Sequence, residues 1–149
     1  MSISFTITKS IVTSITRTIT DGSGGGPIDP DAVYWTGEKF QNILAYPNTS
    51  IGPYDFSTLF VGGDIEVGGY ALVGTWPTGT IFDTNTGILT GTWGSDIDVF
   101  PGLSVTATGS INTVSTNVFT AYISDKTPVY DGEGNPVYDG AGNPIYTPS

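Results

Sequence analysis

Glycine and proline set the limits on this chain. Nowhere along its 149 residues do apolar side chains recur at i, i+3, i+4 and i+7 without a Gly or Pro inside the window. That recurrence gives a helix its one buried face, so its loss removes helical packing as an organising device. What remains is period two: short apolar and Thr-rich runs split by the 21 Gly and 10 Pro. Thr and aromatic side chains suit a pleated surface, while Gly, Pro, Asn and Asp suit tight turns. The chain is therefore expected to be all-β. Its length and its 38% hydrophobic content suit one domain with a modest core plus extra segments.

The strongest alternation lies in residues 1–20. Odd positions from 3 carry Ile3, Phe5, Ile7, Lys9, Ile11, Thr13, Ile15, Arg17 and Ile19, and even positions carry Ser or Thr except for Val12. One apolar face at period two is a strand signature, but the run is long for one strand and holds no turn residue. Two readings are open: a bend near Ser10–Thr13 that makes two strands, or a single arm that adds to a neighbouring sheet. The arm is favoured, and its odd-numbered residues are candidate contacts with another copy or another protein.

Charge separates this arm from the rest. The net charge is −10, yet residues 1–20 hold Lys9 and Arg17 and no acid. Residues 21–149 hold Lys39 and Lys126 against 14 acids, a net of −12. The overall acidity argues against nucleic-acid backbones and anionic membranes as partners. No apolar run approaches the roughly 20 residues of a membrane span. The amino-terminal residues alternate where a secretory leader would be continuously apolar. A role outside the cell is then expected to follow host lysis, or a precursor leader removed earlier.

Residues 21–31 form a Gly/Pro linker; they lack the Lys-Ser/Thr ending of a phosphate-binding loop. Residues 32–50 read as two lead-in strands, Val33 to Trp35 and Phe40 to Tyr46, with Asn48-Thr49-Ser50 as a turn in the pattern of a glycosylation acceptor.

Residues 51–125 carry strands at regular spacing, broken by Gly62-Gly63, Pro77-Thr78-Gly79, Thr84-Asn85-Thr86-Gly87 and Gly94-Ser95-Asp96, the pattern of a sandwich. Asp83 to Gly87 is a hairpin turn, with the Asp carboxylate bonding backbone amides and Gly87 at positive φ. Phe82 and Leu89 are expected to face one core. Val105, Ala107, Val118, Thr120 and Tyr122 are assigned to it from the last strand pair. Particular residues also fit a known pattern: Pro53-Tyr54-Asp55-Phe56, Gly62-Gly63, then Tyr70-Ala71-Leu72-Val73-Gly74-Thr75-Trp76-Pro77-Thr78-Gly79. Phe82-Asp83-Thr84-Asn85-Thr86-Gly87-Ile88-Leu89-Thr90-Gly91-Thr92 and Leu103-Ser104-Val105-Thr106-Ala107-Thr108-Gly109 follow in order. In these residues the chain resembles the immunoglobulin-like domain family of bacterial surface proteins and phage structural proteins. The match covers about half the chain and departs at Trp93, where the family usually has Pro. It implies an immunoglobulin-like β-sandwich flanked by the N-terminal β arm and a C-terminal turn-rich tail. It also implies spacer, adhesion or virion-decoration roles, and it brings no catalytic motif.

Residues 126–149 repeat with period eight: Pro128-Val129-Tyr130, Pro136-Val137-Tyr138 and Pro144-Ile145-Tyr146, separated by Asp-Gly-x-Gly-Asn. Three such units are too short for a core of their own and are expected to lie on a surface. Tyr130, Tyr138 and Tyr146 are candidate contact residues. Asp131, Glu133 and Asn135 have the spacing that opens an EF-hand loop, but Pro136 and Gly142 stand where that loop needs Gly and Glu. Asp64, Glu66, Asp96 and Asp98 are the other carboxylates weighed as a cation site. No cofactor is expected; calcium is the one cation these carboxylates are weighed for.

With no His and no Cys, the nucleophile–base pairs, His-based zinc sites and disulfides are excluded by composition. The spaced pairs Asp64/Glu66 and Asp96/Asp98 have no pocket pattern around them, and enzymatic activity is not expected. Trp35, Trp76 and Trp93 are expected to pack inward rather than stack on sugars. The expected function is that of a non-enzymatic phage virion protein, first a head decoration protein. The alternatives are a tail or fibre accessory protein, or a cell-surface carbohydrate-binding or adhesion module. The expected partners are virion proteins such as the major capsid protein and further copies of the chain. The expected location is the virion, extracellular after host lysis.

Overall fold

A computed structural model describes residues 29–148. Among the described residues there are ten strands and one short 3-10 helix, Phe56–Leu59. The strands are β1 (Val33–Trp35), β2 (Ile43–Ala45), β3 (Ser50–Asp55), β4 (Phe60–Gly62), β5 (Ile65–Val73), β6 (Thr80–Asp83), β7 (Ile88–Thr92), β8 (Asp98–Gly109), β9 (Thr113–Ser115) and β10 (Phe119–Ile123). No helix among these residues is long and apolar enough to cross a membrane.

Two sheets share one core. The smaller runs β3-β7-β6 and is antiparallel throughout. The larger runs β2-β10-β8-β5, with β9 also on β8; β2 is parallel to β10 and the other pairings are antiparallel. β1 and β4 form a separate antiparallel ribbon. The lead-in strands belong to this architecture, because Val33 and Ile43 sit in the same buried cluster as Ile51, Leu89, Leu103, Val105 and Phe119.

The aromatic centre of the core lies off the strands. Phe56, on the 3-10 turn, is fully buried. Its ring is 4.6 Å from Phe40 and 6.1 Å from Phe119, stacked on the latter, with the Trp76 ring edge-on at 6.4 Å. Asp55 begins the turn by accepting the Ser57 amide at 3.0 Å. Burying such a ring contributes about 1.5–3 kcal/mol, and each well-oriented aromatic pair about 0.5–1.5 kcal/mol more.

The β6–β7 hairpin forms as its sequence requires. The Asn85 amide donates to Asp83 Oδ1 at 2.8 Å, Gly87 sits at φ 72°, and Phe82 pairs opposite Leu89. Asn48 occupies the turn between β2 and β3 at φ 60°. Trp93 is buried. Trp35 and Trp76 pack against the core, with their indole N–H groups donating to the carbonyls of Glu38 and Val73.

One core assignment is corrected. Val105 and Ala107 are buried, but on β10 the inward residues are Phe119, Ala121 and Ile123, and Val118 is 67% exposed. Both faces of this segment carry apolar residues, so its alternation has no unique phase, and a one-residue slip exchanges the faces. Tyr122 is buried all the same, for a reason found outside the sandwich.

β8 changes partners midway. Phe119 pairs Leu103 while Ala121 pairs Phe100, so β8 spends one extra residue at Pro101-Gly102. Proline donates no ladder bond and Gly102 takes φ 74°, which suits a bulge. β10 pairs the Asp98–Leu103 half of the strand, and β5 and β9 pair the half from Ser104 onward.

Candidate interaction surface where the repeat meets the sandwich

The period-eight repeat closes on itself. The Val129 amide donates to the Ile145 carbonyl at 2.8 Å, Val137 to Val129 at 2.9 Å, and Ile145 to Val137 at 2.8 Å. Isolated bridges join Pro128 to Tyr146, Tyr130 to Pro136 and Tyr138 to Pro144. The three Pro-Val/Ile-Tyr segments thus form a ring in which each bonds the next, and Thr147 closes it by donating to Thr127. Three short extended segments that would each leave a bare edge satisfy one another instead.

The connecting loops explain the repeat's composition. Asp131 Oδ1 accepts the Glu133 and Asn135 amides at 2.9 and 2.8 Å, and Asp139 Oδ1 accepts those of Ala141 and Asn143 at 2.8 and 2.9 Å. Gly134 and Gly142 take positive φ. The Asn135 amide bonding Asp131 holds that carboxyl below its ordinary range, and the Asn143 amide does the same for Asp139. Asp131 is therefore engaged in shaping its turn. No group of three or more acidic side chains that could hold a metal is found among the described residues, so Asp64, Glu66, Asp96 and Asp98 do not gather into one.

The ring is fastened to the outer face of the larger sheet. Tyr122 on β10 donates its hydroxyl to the Gly142 carbonyl at 3.1 Å, and Pro128 and Pro144 are buried. Burial pushes the Tyr122 and Tyr146 phenols up, and the Tyr138 hydroxyl adds to the effect on both. Of the candidate tyrosines, Tyr138 and Tyr146 are half-buried at this junction, while Tyr130 is 52% exposed on the ring. Ile3, Phe5, Ile7, Lys9, Ile11, Ile15, Arg17 and Ile19 lie outside the described residues.

Between ring and sheet runs a groove of about 390 Å³ lined by Ile97, Asp98, Val99, Tyr122, Ile123, Ser124, Asn143, Pro144 and Tyr146. Ile97 and Val99 are exposed there, at 56% and 49%, and Ile145 of the ring is exposed as well. An apolar cleft with a few polar groups on its walls is the usual form of a binding surface. Sequence reading alone missed Ile97 and Val99, because they follow a turn and precede a bulge. Only the folded repeat turns that end of β8 into a cleft.

Side-chain amides also stand in for strands. Asn112 bonds both the amide and the carbonyl of Val33, each at 2.8 Å, and Asn117 does the same for Phe40 at 2.8 and 3.0 Å. These bonds hold the lead-in segment to the sandwich where no ladder does. Compared with protein-family models, with curated proteins and with solved structures, the chain matches none.

Proposed function

We propose that this chain is a non-enzymatic structural protein of a phage particle, acting as a head decoration protein that binds the capsid and its own copies. The observation that carries the contact role is the apolar groove, which leaves Ile97 and Val99 exposed where the ring meets the sheet. The virion assignment rests on the resemblance of residues 51–124 to immunoglobulin-like domains of phage structural proteins. The strand order supports that reading. One sheet runs β3-β7-β6, and the other runs β2-β10-β8-β5 with a parallel first pair. Two sheets packed over one core make a β-sandwich, the architecture to which immunoglobulin-like domains belong. The fold alone fixes no function, so the site has to carry it.

The carbohydrate reading is weaker. Trp93 is buried, and the half-buried Trp76 ring packs 5.7 Å from Phe119 against the core, which leaves less indole surface for a sugar.

Mass spectrometry of purified particles from the source of this sequence, with immunogold labelling, tests the assignment. The expected result is the chain on the head in many copies. Labelling of the tail would move the role to a tail accessory protein, and absence from particles would overturn the virion reading.

A further inference from the structure

We propose that the groove between β8 and the C-terminal ring receives residues 3–19 of a second copy of this chain. This extends the contact reading above and does not depend on where the assembly is located.

Four observations converge. First, β8, which borders the groove together with β10, has an open edge on its other side. β10 pairs one side of Asp98–Leu103, while β5 and β9 begin pairing only at Ser104 and Thr106, so among the described residues the other side of Asp98–Phe100 has no strand partner. The Val99 amide is taken up by the neighbouring Asp98 carboxylate at 2.7 Å in place of a strand carbonyl. Such an edge accepts an extended segment by backbone pairing.

Second, the apolar lining of Ile97, Val99, Pro144 and Tyr146 suits a segment that offers an apolar side chain at every second position. Residues 3–7 do so with Ile3, Phe5 and Ile7, and Ile11, Ile15 and Ile19 continue the same face with Lys9, Thr13 and Arg17 between them.

Third, the charges are complementary. Residues 1–20 carry Lys9 and Arg17 without an acid, and the groove wall carries Asp98 with Asp96 two residues before it, on a body of net −12. Lys126 is the basic residue nearest in sequence to the lining, two positions after Ser124.

Fourth, reach favours a neighbour. A Cβ built on Gly109 would abut the Val33 side chain, so the chain enters the described region at the Gly109 end of β8, whereas the groove is at its Asp98 end. Twelve strand residues span roughly 36 Å, and the ten steps from Ile19 to Asp29 extend at most about 36 Å. On its own molecule Ile19 reaches the groove only with the intervening chain at nearly full extension, so part of the alternating face is spent as tether. A second copy has no such limit.

The chain has no cysteine, so engineered thiols report the contact without background. Chains carrying Ile7→Cys, Ile11→Cys or Ile15→Cys are mixed with chains carrying Val99→Cys and oxidised. A covalent heterodimer is expected from at least one pair, with little from Ile81→Cys on β6, which is exposed but remote in the fold. In sedimentation velocity, Val99→Lys is expected to weaken self-association about tenfold, while a far-ultraviolet spectrum like that of the parent shows retained folding. No heterodimer, equal crosslinking to Ile81→Cys, or unchanged association of the folded Val99→Lys chain would overturn the proposal. So would a crosslink confined to single chains carrying both thiols, which would place the segment on its own molecule.

Discussion

The Tyr122 hydroxyl donates to the Gly142 carbonyl at 3.1 Å, joining the last strand of the sandwich to the second loop of the C-terminal ring across twenty residues. The bond sits beside buried Pro144 and the half-buried Tyr146, so it helps set the distance between ring and sheet, and with it the shape of the groove. Tyr122→Phe keeps the ring packing and removes the donor. The expected cost is about 1 kcal/mol in denaturant unfolding. Amide exchange should rise in residues 139–146 while residues 103–107 of β8 stay protected. Equal loss of protection in both segments would mean that ring and sandwich unfold as one unit.

Acid should weaken the turns. Amide donors hold Asp83, Asp131 and Asp139 below the ordinary carboxyl value of 3.8. A carboxyl whose pKa is lower when folded contributes stability above its unfolded value, and that contribution is lost as pH falls through the folded value. Melting temperature should therefore decline below about pH 3.8, with these three groups contributing to the decline. Asp139→Asn keeps an acceptor for the Ala141 and Asn143 amides but does not titrate, so its acid limb should be shallower than that of the parent. Melts between pH 7 and pH 2 measure both.

The buried turn residue Phe56 should matter more than any single strand residue. It contacts Phe82 and Phe119, one from each sheet, and Phe40 and Trp76 from the segments between strands. Phe56→Ala is expected to cost about 3–5 kcal/mol. A loss below about 1 kcal/mol in equilibrium unfolding would show that the core refills the space.

Much of the fold was legible because composition left few alternatives. Gly or Pro interrupted nearly every long stretch, no helical apolar pattern was left, and Asp83-Thr84-Asn85-Thr86-Gly87 named its own hairpin. The phase of β10 was not legible: Val118 and Tyr122 are as apolar as Phe119 and Ile123, and only packing chooses between the faces. The period of the repeat was plain, but its closure was not. A strand pattern does not say which carbonyl the Val129 amide will reach, and the answer, Ile145, lies sixteen residues away. The groove was hidden for the same reason, since its two walls come from segments that local pattern never brings together.

Two glycines should separate backbone strain from steric contact. Gly37 has φ 85° with open space around a built Cβ, whereas Gly79 has φ 86° and its Cβ would fall on the Thr92 carbonyl oxygen. Gly37→Ala should cost about 1–2 kcal/mol, from the left-handed conformation alone. Gly79→Ala should cost clearly more and displace the β6–β7 hairpin. Similar losses in thermal unfolding would contradict this distinction.

Contact at the junction of ring and sandwich is tested most directly by hydrogen exchange of the full chain, compared between dilute and self-associated samples. Association should protect residues 97–99 and 143–146 and leave residues 81–90 of the β6–β7 hairpin exchanging as before. Association that protects the hairpin while residues 97–99 and 143–146 exchange unchanged would contradict the account.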